Sequence, residues 1–151
     1  MPVIRPPHKH ETAALHALWE RSVRATHRFL AEADILLYRP MVRDLLASSM
    51  EFWVACDDAG AVPLGFSGLD YVSREGTWKL EALFIDPDAS RQGLGSLLVT
   101  HARMLKGPLS LDVNEQNPGA RAFYRKRGFT ETGRSPVDGA GRPFPLIHMR
   151  G

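Results

Sequence analysis

The sequence predicts an α/β domain in which one sheet carries helices on both faces. Three observations lead there. The first is the stretch from 78 to 105. It passes from an apolar strand, Leu80-Glu81-Ala82-Leu83-Phe84-Ile85, through a loop, Asp86-Pro87-Asp88-Ala89, into a glycine-punctuated turn and then an amphipathic helix. The second is the order of patterns along the chain, β-α-α-β-β-β-α-β-α-β-β, with no internal repeat and no interdomain linker. The third is size: 151 residues make one domain, 1–151, long enough to bury a core.

Taken in order, Val3-Ile4-Arg5 reads as a short strand stopped by Pro6-Pro7, because a residue before proline is pushed to extended backbone. A helix is expected over residues 11–25, with Leu15, Leu18, Trp19 and Val23 on one face. The segment Thr26-His27-Arg28-Phe29-Leu30 interrupts it, and Met41, Val42, Leu45 and Leu46 place a second helix over 41–49. Residues 52–56 and 64–72 read as strands joined through Asp57-Asp58-Ala59-Gly60, a hairpin signal. Ser73-Arg74-Glu75-Gly76 turns the chain into the strand before the loop. In the helix beyond, Leu94, Leu98, Ala102 and Leu105 recur at helical spacing, with Leu97 alongside. Gly107-Pro108 ends it and Leu109-Ser110-Leu111-Asp112-Val113 forms the next strand. Asn117-Pro118 opens the last helix, asparagine as cap and proline at the first helical position. Arg127-Gly128 closes it, and 129–134 and 146–149 supply the final strands.

Composition narrows the function classes. The net charge is only +2, and the arginines are spread along the chain apart from a cluster at Arg121, Arg125, Lys126 and Arg127. That is a solvated helix face or a patch beside a phosphate ligand, so no nucleic-acid partner is expected. No apolar run approaches the roughly 20 residues of a membrane span. The N-terminal stretch lacks the basic-then-apolar order of a secretion leader, so no membrane association and a cytoplasmic location are expected. The single cysteine, Cys56, excludes internal disulfides and lies in an apolar run, where a buried structural thiol is expected. The histidines show no metal spacing beyond His8-Lys9-His10, so no metal is expected.

A strand that hands over through close glycines to a helix N-terminus is an anion cradle, with free N–H groups aimed at a phosphate or pyrophosphate. A dinucleotide fingerprint needs a small residue where Leu98 stands, and a P-loop needs a Gly-Lys-Ser/Thr tripeptide that the chain lacks. A plain glycine-rich turn stays open on this stretch alone. The turn Ser90-Arg91-Gln92-Gly93-Leu94-Gly95-Ser96 resembles the coenzyme A loop of the GNAT N-acetyltransferases, written Gln/Arg-x-x-Gly-x-Gly/Ala. Ser90 stands where that motif has Gln or Arg, with Arg91 one position along. The element order is similar to that family's along nearly the whole chain. Seven residues after Asn117, the run Phe123-Tyr124-Arg125-Lys126-Arg127-Gly128-Phe129 resembles its terminal Tyr-(three residues)-Gly-Phe signature. Ala25-Thr26-His27, Asn114-Glu115-Gln116-Asn117 and Pro143-Phe144-Pro145-Leu146 are similar to the YjaB-type bacterial branch of that family.

The resemblance implies a GNAT fold: a mixed, mostly antiparallel central sheet whose two parallel strands splay at the coenzyme site. It implies acetyl-CoA as cosubstrate, with its arm in the gap between the strands of Leu83-Phe84-Ile85 and Leu111-Asp112-Val113. Its contacts would be Leu83, Phe84, Ile85, Asn117, Tyr124 and the loop residues Ser90, Arg91, Gln92, Gly93, Leu94, Gly95 and Ser96. Tyr124 matches the family's general acid, a phenol that is neutral at pH 7 and can donate one proton; the alternative is a core aromatic beside Phe123 and Phe129. Glu81 interrupts an apolar strand, where an unpaired buried carboxylate would cost several kcal/mol, so it faces water, a cation or the cleft. Asp112 interrupts Leu109, Leu111 and Val113 from the opposite face of its strand. Either carboxylate is a candidate base for the amine, or a partner in a salt bridge. His27, Arg134 and the loop over 138–145 fall on the acceptor side in that family. The expected activity is direct acetyl transfer to a primary amine of a small molecule or peptide, by a monomer or homodimer. The alternatives are a protein N-terminal or lysine acetyltransferase, and a coenzyme A-binding regulatory protein with weak or lost catalysis.

Overall fold

The computed structural model describes residues 2–151. Seven strands form one sheet: β1 (Val3–Arg5), β2 (Glu51–Cys56), β3 (Pro63–Val72), β4 (Thr77–Ile85), β5 (Leu109–Asn114), β6 (Thr130–Ser135) and β7 (Leu146–Arg150). Their order across the sheet is β1-β2-β3-β4-β5-β7-β6. Four helices, α1 (Thr12–Thr26), α2 (Glu32–Leu46), α3 (Leu94–Lys106) and α4 (Pro118–Lys126), connect them.

The helices cover both faces, and each covering layer has its own apolar core. On one face Leu15, Leu18, Trp19 and Val23 of α1 and Ile35 and Leu46 of α2 close over Phe52, Val54, Cys56, Phe66 and Ala82. On the other, Val99 and Ala102 of α3 pack with Leu111, Val113, Ile147 and Met149, and Phe123 and Tyr124 of α4 rest against that cluster. Cys56 is fully buried, as its apolar run predicts. Leu94, Leu98 and Ala102 are buried as their spacing predicts, whereas Leu105 is exposed and Val99 takes the fourth position.

The second helix corrects the sequence reading: it runs from Glu32 to Leu46, not over 41–49. Pro40 lies inside it, and a proline interior to a helix normally breaks the pattern. Tertiary contacts override that local cost. Asp34 accepts the Ala31 N–H at 2.8 Å, Ile35 is buried against α1, and Arg39 and Glu32 form ion pairs with Glu20 and Arg24.

Two features of β4 shape the site. All strand pairs are antiparallel except β4 with β5, and these pair only at Trp78↔Leu109 and Lys79↔Ser110. Beyond that corner the two strands part. The β3–β4 register also slips between Gly68 and Leu69, which face Ala82 and Leu80, so Glu81 is an extra residue without a cross-strand partner. Such a bulge re-aims a side chain and bends the strand, and it does both where the gap opens.

Candidate active site

The parted strands, the start of α3 and the inner side of α4 enclose a cleft of about 800 Å³. At one end, Asp86 caps a short 3-10 turn by accepting the Asp88 N–H at 3.1 Å and holds Arg21 of α1 at 2.7 Å. Gly93 then takes φ +72°, a left-handed conformation that side chains disfavour, and starts α3. The first helical bond runs from the Leu97 N–H to the Gly93 carbonyl. The N–H groups of Gly93, Leu94, Gly95 and Ser96 therefore donate to nothing among the described residues. Gly95 has a second reason to be glycine: a Cβ there would meet the Phe123 ring at 3.0 Å.

Arg127 adds a cation to this end. Its guanidinium bonds the Ser96 hydroxyl and donates to the Phe123 carbonyl at 2.9 Å, while lying 3.5 Å over the Phe123 ring. Among the described residues it has no carboxylate partner, so charge and helix dipole here are both positive. A chain of phosphates fits such a cradle, and an arm bearing amides fits the unpaired edges of β4 and β5 below it.

In the middle of the cleft, Tyr124 stands edge-on to Phe123 and Phe129, with ring centroids 5.2 and 5.5 Å away. Its ring sits against the core, yet its hydroxyl makes no hydrogen bond among the described residues and the side chain lines the cleft. Burial pushes the phenol above its ordinary pKa, against the pull of Arg127, so it holds its proton throughout the neutral range. Asn117 caps α4 as its sequence predicts, its Oδ1 accepting the Ala120 N–H at 3.2 Å.

The far end carries the carboxylates. Glu81 and Asp112 both line the cleft and share one cation. Lys79 Nζ lies 3.2 Å from Glu81 Oε1 and 2.8 Å from Asp112 Oδ2. Glu81 thus has the local partner that its apolar neighbours concealed, two residues away on its own strand. Burial alone would raise Asp112, but Lys79 and His148 outweigh it and hold the carboxyl below its ordinary range. Burial would likewise lower Lys79, and Asp112 with Glu81 reverses that. His27 lines the cleft from the end of α1, its Nδ1 2.8 Å from the Thr26 hydroxyl, and burial lowers its pKa.

The structure does not bring every expected residue here. Arg134 lies away from the cleft and is spent on Glu115 through bonds of 3.0 and 2.9 Å. Arg91 and Gln92 are exposed outside it, while Ser90, Gly93, Leu94, Gly95 and Ser96 line it with Leu83, Phe84 and Ile85. The loop between β6 and β7 folds onto the start of the helical layer. Tyr38 donates to Asp138, Arg142 pairs with Asp34 at 2.6 Å, and the Phe144 ring lies 5.7 Å from Phe29. Sequence reasoning missed Lys79 and His148, and it offered Arg127 only as one of a basic cluster that was either a solvated helix face or a patch beside a phosphate ligand. For Lys79 a signal existed, since its two-residue offset from Glu81 is local.

Comparison with known proteins fits this geometry. The acetyltransferase (GNAT) domain model matches residues 48–131. The peptidyl-lysine N-acetyltransferase YjaB of Salmonella typhimurium is 43% identical over 97% of this chain and 95% of its own. The solution structure of apo-form YjaB from Escherichia coli superposes with a TM-score of 0.87 at 40% identity, over 99% of this chain and 97% of that one. The Thermoplasma acidophilum PaiA N-acetyltransferase in complex with coenzyme A shares the fold, with a TM-score of 0.79 at 19% identity over 99% and 98% of the two chains.

Proposed function

The chain belongs to the GNAT family of acetyltransferases, and on that premise we propose that it moves the acetyl group of acetyl-CoA directly to the side-chain amine of lysine in a peptide or protein. One observation carries the reading. A single cleft brings together four helix N–H groups, two strand edges and a phenol, all without partners among the described residues, and two carboxylates. The name of the 43% identical relative supports lysine as acceptor, and so does the acidic far end, which suits a cation.

The cosubstrate supplies an activated acyl group as a thioester. The α3 N-terminus and Arg127 hold its phosphates, and the free edges of β4 and β5 receive the amides of its arm. The Asn117 side chain, with its oxygen spent on the cap, keeps an amide NH₂ for the same arm. A lysine ammonium has no lone pair, so it must lose a proton before attack. Glu81 takes that proton directly or through one water. It is favoured over Asp112 because Asp112 is bonded at 2.8 and 2.5 Å to Lys79 and His148, whereas Glu81 is held only at 3.2 Å. An unpaired N–H of the β4 edge serves the developing oxyanion. Tyr124 gives its proton to the departing thiolate, and the second proton of the amine, acidic once the nitrogen is acylated, returns through water to the phenolate.

The test is to incubate the protein with acetyl-CoA and three acceptor sets: lysine peptides with blocked N-termini, lysine-free peptides with free N-termini, and small amines. Thiol release and peptide mass are then followed. Acetylation at the lysine side chain is expected. Reaction with small amines or N-termini alone would overturn the lysine assignment, and binding without reaction of any set would overturn the transfer itself.

A further inference from the structure

A polar row extends from the acceptor end across four strands. Glu81 and Lys79 come from β4, Asp112 from β5, His148 from β7 and Ser135 from β6. Asp112 and His148 are directly opposite in the antiparallel pair. His148 Nδ1 lies 2.5 Å from Asp112 Oδ1, and its Nε2 lies 2.6 Å from the Ser135 hydroxyl. This arrangement fixes the neutral ring: Nδ1–H donates to the carboxylate and Nε2 accepts from the hydroxyl. The order Ser-His-Asp is that of a hydrolase, but Asp112 is shared with Lys79 and Ser135 does not line the cleft.

We propose that His148 is a positioning residue for acetyl transfer: its charge decides how Asp112 and Glu81 divide Lys79, and so whether Glu81 is free for the acceptor. The kinetic part rests on the lysine reading above. With His148 neutral, two carboxylates and one ammonium leave the row with a single negative charge, matched to one incoming lysine. Lys79 then lies nearer Asp112 than Glu81. When His148 gains a proton, the imidazolium meets the charge of Asp112 and the row becomes neutral. Lys79 shifts its attraction to Glu81 and blocks the oxygens that the acceptor needs. Ser135 serves both states, because its hydroxyl turns from donor to acceptor.

The groups facing His148 are few. Asp112 and, through it, Lys79 and Glu81 stand on the β5 and β4 side. Ser135 and the backbone of Gly133 stand on the β6 side, where Arg134 is occupied by Glu115. On its own strand Arg150 lies two residues on. The side chain of His148 is 35% exposed, so protons reach it from solvent.

Two measurements test the proposal. The imidazole resonance of His148 is titrated by NMR in the wild type, Lys79→Gln and Glu81→Gln, with no acceptor present. Loss of the cation should raise its pKa and loss of the carboxylate should lower it, by roughly half a unit or more each. In parallel, kcat and KM for a lysine peptide are measured against pH in His148→Gln and His148→Arg. His148→Gln should lose the acid step in kcat/KM that is expected of wild type. His148→Arg should hold the acid state at every pH, with kcat/KM at pH 8 lowered about tenfold and the acetyl-CoA thermal shift unchanged. A His148 titration that ignores Lys79, or a His148→Gln profile that keeps the wild-type step, overturns the proposal. Coupling by NMR in a protein that acetylates no lysine peptide would support the row and sink the acceptor assignment instead.

Discussion

The two ends of the cleft are built from different materials. The coenzyme end is made mostly of backbone: four N–H groups without partners among the described residues, a left-handed Gly93, and a Gly95 that leaves room for the Phe123 ring, with Arg127 adding a cation. The acceptor end is made of side chains already engaged with one another, Lys79 with Glu81 and Asp112, Asp112 with His148, and His148 with Ser135. A backbone cradle is set by local geometry and tolerates varied side chains around it. A network of paired charges changes as a unit when any member changes. The first end suits a constant ligand, and the second is where related chains can diverge in what they accept.

The comparison can be broken at its centre first. Tyr124→Phe should lower turnover by roughly 10²–10⁴-fold while the thermal shift with acetyl-CoA stays intact, because the phenol belongs to neither end's binding work. Turnover near wild type would return Tyr124 to the core. At the backbone end, Gly95→Asp should erase the stabilisation given by acetyl-CoA, roughly 2.7 kcal/mol at a hundred times the dissociation constant. The aspartate would press on Phe123 and add like charge at the cradle, and a normal shift in this variant would remove the loop from the account. At the side-chain end, Glu81→Gln and Asp112→Asn should each lower kcat/KM by roughly ten- to a hundredfold, with the double variant little worse. Additive losses would mean that the two carboxylates do not act through the shared lysine.

The same pairing carries a pH signature in stability. The carboxyl of Asp112 is held below its unfolded value, so its contribution is present above about pH 3.9 and is lost as pH falls through the lower folded value. The melting-temperature gap between wild type and Asp112→Asn should therefore close in strong acid. The smallest effect is expected at Arg134. This residue is half-exposed and spent on Glu115, so Arg134→Ala should leave the lysine-peptide KM within about twofold of wild type. A larger rise would put Arg134 back in contact with the acceptor.

What the sequence made legible follows the same division. A glycine needed for left-handed backbone, an asparagine cap before proline, and leucines four apart are local requirements, and Gly93, Asn117, Leu94 and Leu98 all stand as their spacing implies. The acceptor end depends on partners distant in the chain. Lys79 and Asp112 are 33 positions apart and Asp112 and His148 36, so no local pattern announces them. The missed start of α2 has the same origin. Its residues 32–40 carry Ile35, Leu36 and Leu37 but lead into a proline, and what keeps them helical is the surface of α1 they pack on.

The parting of β4 and β5 also divides the molecule as a mechanical object. Among the described residues the backbone ladder joins β5, β7 and β6 to the other four strands only at Trp78↔Leu109 and Lys79↔Ser110, so the sheet is two plates hydrogen-bonded at one corner, with the core under α3 packed across the seam. A ligand arm lying in the gap is a removable rung between them: with it in place a pull is shared along the seam, and without it the strain falls on the corner and the core beneath it. Lys79 sits at that corner, and its ammonium ties Glu81 on one plate to Asp112 on the other. The residue that apportions charge between the two carboxylates is therefore also the rivet from which the plates would begin to tear.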